Sequence, residues 1–417
     1  MATIRFSDDD GMDFAVRCLL TGIGYGMAEP GEVLATAAAV VPGDPDSWFT
    51  AWTGLGERCE AIAAEASAAG HRQSAAQAYL RAANYRFAGF YYVLASARPD
   101  RHRAAWRAHR SCVEAAFDHW ATPVERVEVP WEGRALRAWR FRASSDAPAP
   151  PTGSGRPLMV VHNGLASPLS DVVMTGVLDA VERGWEAVAF DGPGQGAAVV
   201  DDGLAPVDQW ERVGSAVLDA VLDRDVDPGA VVVAGIADGG YLAARHAARD
   251  PRVAAVVADP GVLRPLDGVL GALPEPLQRA WSDGGATALD AAVDATSDDP
   301  DTRFAVAKVV EQWPAHGPGQ VLDRLAGWDL ELLVDDLRGP VLICDPDDAM
   351  SFPGQSAELA TRLGDRAVRV PFSTAEGAGL DCEIGAPRLR NQRIFDLLDD
   401  WRGLAGPAAS PHRKDRP

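Results

Sequence analysis

Apolar residues recur along this chain with two rhythms. Between about residues 30 and 120 they fall three and four apart, as in Tyr79, Ala83, Phe87, Phe90 and Tyr91, the spacing of one helix face. The pattern predicts several amphipathic helices, and residues 1–125 read as an N-terminal helical region. The period then drops to two. Val127–Trp131 and Leu136–Phe141 alternate apolar and polar residues around Glu132-Gly133, as a hairpin does. Between Ser144 and Arg156, five residues are Pro or Gly, which predicts a loop.

Six short apolar runs follow: Leu158–Val161, Trp185–Phe190, Ala230–Ala234, Val253–Ala258, Val341–Cys344 and Ala367–Val370. Runs apolar on both faces and separated by helical stretches predict an α/β fold, a mostly parallel central sheet with helices on both faces. Residues 126–263 and 337–405 read as the two parts of that core. Residues 264–336, helical with Pro and Gly interruptions, read as a cap inserted over the carboxyl ends of the strands, where such sheets bind ligands. The Pro-rich, charged residues 406–417 predict a disordered tail.

A formal net charge of −21 argues against nucleic-acid and anionic-membrane partners, because binding phosphates needs clustered Lys and Arg. The first residues, Met1 to Phe6 and then Asp8, Asp9 and Asp10, form neither a basic n-region nor an apolar h-region, and no long uninterrupted apolar run occurs. That pattern predicts a cytoplasmic protein. Five cysteines without a CxxC pair indicate neither a disulfide framework nor a zinc site. Abundant Ala, Gly, Asp and Arg fit a high-GC actinomycete coding sequence.

The chemistry concentrates after the run Ala230–Ala234, where Gly235-Ile236-Ala237-Asp238-Gly239-Gly240-Tyr241 leads into a helix. Glycines at these positions permit a sharp strand-to-helix turn that lifts one side chain above the sheet, as in the nucleophile elbow of serine hydrolases. The lifted residue is Ala237, whose methyl cannot attack a carbonyl. Gly192-Pro-Gly-Gln-Gly196 lacks the order of a dinucleotide fingerprint, and no P-loop occurs. No cofactor is implied. A metal is not expected either, since the candidate aspartates lack a histidine partner at helical spacing.

With Arg81-Ala-Ala-Asn-Tyr-Arg86, Phe190-Asp-Gly-Pro-Gly-Gln-Gly196, the elbow, Asp345-Pro-Asp-Asp348 with Phe352-Pro-Gly-Gln355, Ala375–Glu383 and Gln392–Asp396, the chain resembles α/β hydrolases related to dihydroxypseudooxynicotine hydrolase and the fermentation-respiration switch protein. The resemblance spans nearly the whole chain and implies an α/β-hydrolase fold. It puts the catalytic acid at Asp348 and the catalytic histidine at Asp381, and it suggests a homodimer. Chain order agrees, because after Asp348 only His412 remains, in the tail.

Three carboxylates thus stand at the triad region: Asp348, Asp381 and, just past the elbow, Asp238. If Asp348 and Asp381 keep the spacing of acid and histidine, two like charges share a confined site and one retains a proton at neutral pH, a dyad fit for general acid and base work. His162-Asn163-Gly164 and the backbone of Asp238 are candidates for an oxyanion pocket, with Tyr241 beside them. Tyr85, Phe87, Tyr91, Tyr92, Trp313 and Trp328 lie in the helical layer and the cap, so the expected substrate is a bulky apolar or aromatic small molecule. The resemblance extends to proteins of this fold that act on carbon–carbon bonds in natural-product pathways. It points to non-hydrolytic, cofactor-independent carbon–carbon bond formation by Michael- or aldol-type addition or cyclisation. A non-catalytic metabolite-binding protein and a hydrolase using an Asp-activated water stay open as alternatives. With Ala237 at the elbow, a fluorophosphonate should leave the protein unlabelled, and stoichiometric labelling seen by intact mass would overturn this reading.

Overall fold

The computed structural model describes residues 4–148 and 155–402. The predicted tail 406–417 and residues 149–154 of the predicted loop lie outside the described residues. Strands β1 (Val124–Trp131) and β2 (Arg134–Phe141) pair antiparallel with Trp131 opposite Arg134. Glu132 (φ 46°) and Gly133 (φ 78°) are both left-handed, as a two-residue turn matched to the twist of the strands requires.

The six apolar runs form β3 (Arg156–His162), β4 (Glu186–Asp191), β5 (Val226–Ile236), β6 (Ala255–Asp259), β7 (Val341–Pro346) and β8 (Ala367–Phe372). The sheet order is β1-β2-β4-β3-β5-β6-β7-β8. From β3 to β8 the neighbours are parallel, and the hairpin joins the β4 edge antiparallel.

Alternation along β3 assigns the two faces. Met159 and Val161 point into a core shared with Trp48, Trp52, Tyr85 and Phe117 of the N-terminal helices and with Phe395 of helix Pro387–Trp401. Leu158 and Val160 point into the opposite core, with Trp210 and Val217 of helix Trp210–Val221 and Tyr241 and Leu242 of helix Gly239–Arg249.

Between β6 and β7 the chain makes an excursion of helices: Pro265–Gly271, Glu275–Ala295, Pro300–Val310 and Pro318–Leu325, then a 3-10 stretch Leu330–Asp336. Trp313, Leu322, Leu325 and Trp328 anchor it to the second core. No helix among the described residues is long and apolar enough to cross a membrane.

The β5-to-helix turn is tightly packed. A Cβ at Gly235 would lie 2.0 Å from the Gly239 carbonyl oxygen, and one at Gly240 would lie 2.2 Å from that of Pro260. Gly235→Ala should therefore cost about 3 kcal/mol or abolish folding. Gly229→Ala, whose Cβ would meet nothing nearer than 3.4 Å, should stay within about 1 kcal/mol; urea-unfolding midpoints check both.

Candidate active site

Ala237 stands at the crest of that turn with φ 55°. Its N–H donates to the Asp259 carbonyl at 2.8 Å, which ties the elbow to the end of β6. The Ala237 methyl opens into a pocket of about 410 Å³. One wall is the loop after β3, Leu165-Ala166-Ser167; the other walls are the excursion helices, through Val269, Phe304, Val309 and Trp313, and Tyr91 of the N-terminal region.

Asp238 shares this pocket. Its carboxylate accepts the Leu165 N–H at 3.1 Å through Oδ1 and 3.4 Å through Oδ2. Burial pushes the carboxyl up to about 6, against the downward pull of the N–H groups of Leu165, Asp238 and Gly239. In serine hydrolases of this shape, the N–H after the nucleophile and one from the loop after β3 form the oxyanion hole. Here a side-chain carboxylate occupies the donor from that loop, the Leu165 N–H. A Cβ at Gly164 would lie 2.6 Å from Asp238 Oδ1, so glycine at 164 makes room for the carboxylate.

The other expected oxyanion residues serve elsewhere. His162 is fully buried. Trp210 Nε1 donates to its Nδ1 at 2.9 Å, and its Nε2 faces His246 Nδ1 at 3.2 Å. Burial and the neighbouring His246 hold it well below the usual histidine range, so it braces the sheet as a neutral ring. Asn163 donates from Nδ2 to the carbonyls of Ser167 and Pro168 and accepts Gln195 Nε2 on its own carbonyl. It shapes the loop. Tyr241 is buried, stacked on Trp328 with planes 10° apart, and its hydroxyl accepts from Arg245. Its ring joins the core and the excursion. The side chains of His162, Asn163 and Tyr241 thus make packing and loop-shaping contacts, and none of the three is among the residues lining the pocket.

Asp348 and Asp381 do not form the expected dyad. Asp381 is buried, and its Oδ2 accepts the N–H groups of Met350 and Ser351 and the Ser351 hydroxyl, the last at 2.9 Å. Ser351 lines the pocket; Asp381 therefore acts on it through that loop. Asp348 is exposed. It lines a separate open groove with Arg17, Leu20 and Met350, and its backbone N–H donates to the Gly379 carbonyl at 2.9 Å.

Two buried carboxylates instead lie close together beneath the elbow. Asp259 and Glu383 are fully buried, and Asp259 Oδ2 meets Arg390 Nη1 at 2.7 Å. Burial and mutual repulsion raise the Glu383 carboxyl well above its ordinary value. Donor atoms of Asp259, Cys344 and Glu383 lie within 4.8 Å of one another; the cation facing them is Arg390. Sequence reasoning missed this cluster and missed Lys308, a cation in the pocket wall. For Glu383 a signal existed in its place beside Asp381-Cys382. For Lys308 none did, since its position depends on how the excursion docks.

Such a sheet order, an elbow after β5 and a helical excursion after β6 define a protein of the α/β-hydrolase fold. Family models give no match to the chain. The hydrolase LUC6 of a Fusarium species is 30% identical over 394 residues, covering 90% of this chain and 93% of LUC6. The 20-hydroxy-prefusarin hydrolase FUS2 of Gibberella moniliformis is 30% identical, covering 94% and 96%. The solved structure of 2,6-dihydroxy-pseudo-oxynicotine hydrolase superposes with a TM-score of 0.68 at 20% identity, covering 92% of this chain and 95% of that one. The chain belongs to the α/β-hydrolase family. These two sequence relatives are fungal, so the actinomycete source inferred from composition has no counterpart in them.

Asp238 carries a stability consequence. A carboxyl near 6 when folded and near 3.8 when unfolded binds more protons folded than unfolded between those values. Its contribution is therefore most favourable in acid and is lost as pH rises through about 6. Asp238→Asn keeps an acceptor for Leu165 without the charge. It should match wild type near pH 3 and exceed it by roughly 3 kcal/mol above pH 7, read from unfolding midpoints across pH.

Proposed function

We propose that this protein is a cofactor-independent biosynthetic enzyme that moves protons with the Asp238 carboxylate. Its reaction forms a carbon–carbon bond, by Michael- or aldol-type addition or cyclisation, in a bulky apolar or aromatic natural-product intermediate. The observation that carries the reading is the Asp238 carboxylate, set beside the Ala237 methyl on the Leu165 N–H and facing a largely apolar pocket. With the triad's serine and histidine positions held by Ala237 and Asp381, acyl-enzyme chemistry has no nucleophile here, whereas a carboxyl near 6 is poised for general acid and base work at neutral pH.

In the proposed step Asp238 takes a proton from carbon next to a carbonyl, leaving an enolate and a neutral carboxylic acid. The enolate carbon then bonds to an electrophilic carbon of the same or a second molecule, and Asp238 returns its proton to the oxygen or carbon left negative. No electrons enter or leave. Asp381 holds the Ser351 loop against the substrate and is a positioning residue. Asp348, exposed on the neighbouring groove, has no part in the step.

The relatives' names favour a second reading, hydrolysis by a water that Asp238 or Asp381 activates. Incubating the protein with metabolite extract of its source organism and comparing masses separates the two. The proposal expects a metabolite converted without net addition of water, with conversion falling about a hundredfold or more in Asp238→Asn and rising through about pH 6 in wild type. Products that have gained one water assign hydrolysis instead. Metabolites retained unchanged by wild type overturn the enzyme reading in favour of a binding protein.

A further inference from the structure

Filling the old oxyanion site with a carboxylate leaves the pocket without its usual means of stabilising negative charge on oxygen. Leu165 N–H is committed to Asp238, and a second anion placed there would meet a like charge. Another group has to do that work if an enolate forms. Among the described residues lining the pocket the one cation is Lys308, on helix Pro300–Val310 of the excursion.

Lys308 is held there by specific contacts. Its Nζ pairs with Glu311, whose second oxygen meets His102 Nε2 at 2.6 Å. Burial alone would push the Glu311 carboxyl up, but Lys308 and His102 outweigh it and hold Glu311 down at about 2. Glu311 therefore stays a fixed anion that anchors the ammonium. The Lys308 Nζ also lies 4.9 Å from the centre of the Tyr91 ring and 5.9 Å from that of Phe90, both faces attractive to a cation. An ammonium has three donors; the Glu311 carboxylate is the hydrogen-bond acceptor found for this one. Lys308 and Asp238 line one cavity without pairing with each other.

We propose that Lys308 is the anion-stabilising residue of this pocket and that the substrate presents an enolisable 1,3-dicarbonyl headgroup on an apolar body. The inference rests on the proton-transfer reading above and names its substrate class. A 1,3-dicarbonyl has one acidic C–H between two oxygens. Asp238 takes the C–H proton, and the delocalised negative charge falls on oxygens that the Lys308 ammonium can reach. The apolar body lies against Phe304, Val309 and Trp313. Gln312, in the same wall, offers an amide donor to the second oxygen.

The test uses 1-phenyl-1,3-butanedione, whose enolate absorbs at longer wavelength than its neutral forms. Titrated into wild type at neutral pH, it should bind and show the enolate band. In Lys308→Met the bound enolate fraction should fall about tenfold, while Lys308→Arg, which keeps the charge, restores most of it. Asp238→Asn lacks the base that takes the C–H proton, so its band should appear more slowly after mixing than in wild type. Circular dichroism confirms that each variant is folded; should Lys308→Met not fold, Lys308→Gln takes its place. Failure of the diketone to bind wild type, or an undiminished band in the folded Lys308 variant, overturns the inference. Loss of metabolite conversion in Asp238→Asn together with an undiminished band in Lys308→Met would sink this inference alone and leave proton transfer standing.

Discussion

The backbone turn from β5 into helix Gly239–Arg249 is the constraint on which the rest of the site depends. Gly239 packs so close to the His162 carbonyl that a Cβ would lie 2.2 Å from its oxygen, and the left-handed Ala237 is held by its N–H bond to Asp259. A left-handed alanine costs of order 1 kcal/mol, a strain the packed glycines on either side sustain. The turn keeps the geometry that would aim a nucleophile, although its crest carries a methyl. The same geometry lays the next residue's carboxylate across the N–H of Leu165. The turn therefore bounds a formed pocket whose polar floor is Asp238.

Under that floor lies a second constraint, the burial of Asp259 and Glu383 with Arg390. Two carboxylates against one guanidinium cannot both stay ionised out of water without large cost, so a proton is retained and the cluster carries little net charge. The cluster also fixes the loop that follows β8. Cys382 and Glu383 are both left-handed, at φ 54° and 48°, and the Cys382 thiol points to the Asp259 carbonyl. With that backbone held, Asp381 stays buried beside the pocket and turns its carboxylate to the Ser351 loop. Removing one partner of such a buried group destabilises strongly, which makes these residues poor choices for dissecting chemistry and leaves Asp238 and Lys308 as the informative ones.

Much of this was legible in the sequence because it is local. The period-two alternation and Glu132-Gly133 specify the hairpin, and the apolar runs specify β3 to β8. Gly235, Gly239 and Gly240 specify the elbow and hence the significance of Ala237. What was not legible depends on contacts between distant segments. His162 looked like a donor at a strand end, and only the packing of Trp210 and His246 shows it as a buried brace. Asp348 follows β7 and Asp381 follows β8, and their two loops turn the first to solvent and the second inward. The meeting of Asp238 with Leu165 joins residues 73 apart in sequence, and no pattern of apolar positions encodes it. Lys308 was invisible for the same reason, since a lysine on an amphipathic helix reads as solvated until the helix has a partner.

Charge placement links these observations to chemistry. A tetrahedral intermediate formed at the elbow would put its oxyanion on the Leu165 N–H that Asp238 already occupies. With the two charges about 4 Å apart and an effective dielectric near 20, their repulsion is on the order of 4 kcal/mol, comparable to the benefit an oxyanion hole gives. Acyl transfer at this position would thus lose through repulsion about what the hole contributes. Proton abstraction runs the other way. Asp238 becomes neutral as the substrate becomes negative, so the charge moves off the floor of the pocket toward the wall that holds Lys308, and the total in the cavity does not change. A pocket with a carboxylate on its floor and an ammonium in its wall favours moving a proton from substrate to Asp238 and disfavours building an anion beside it.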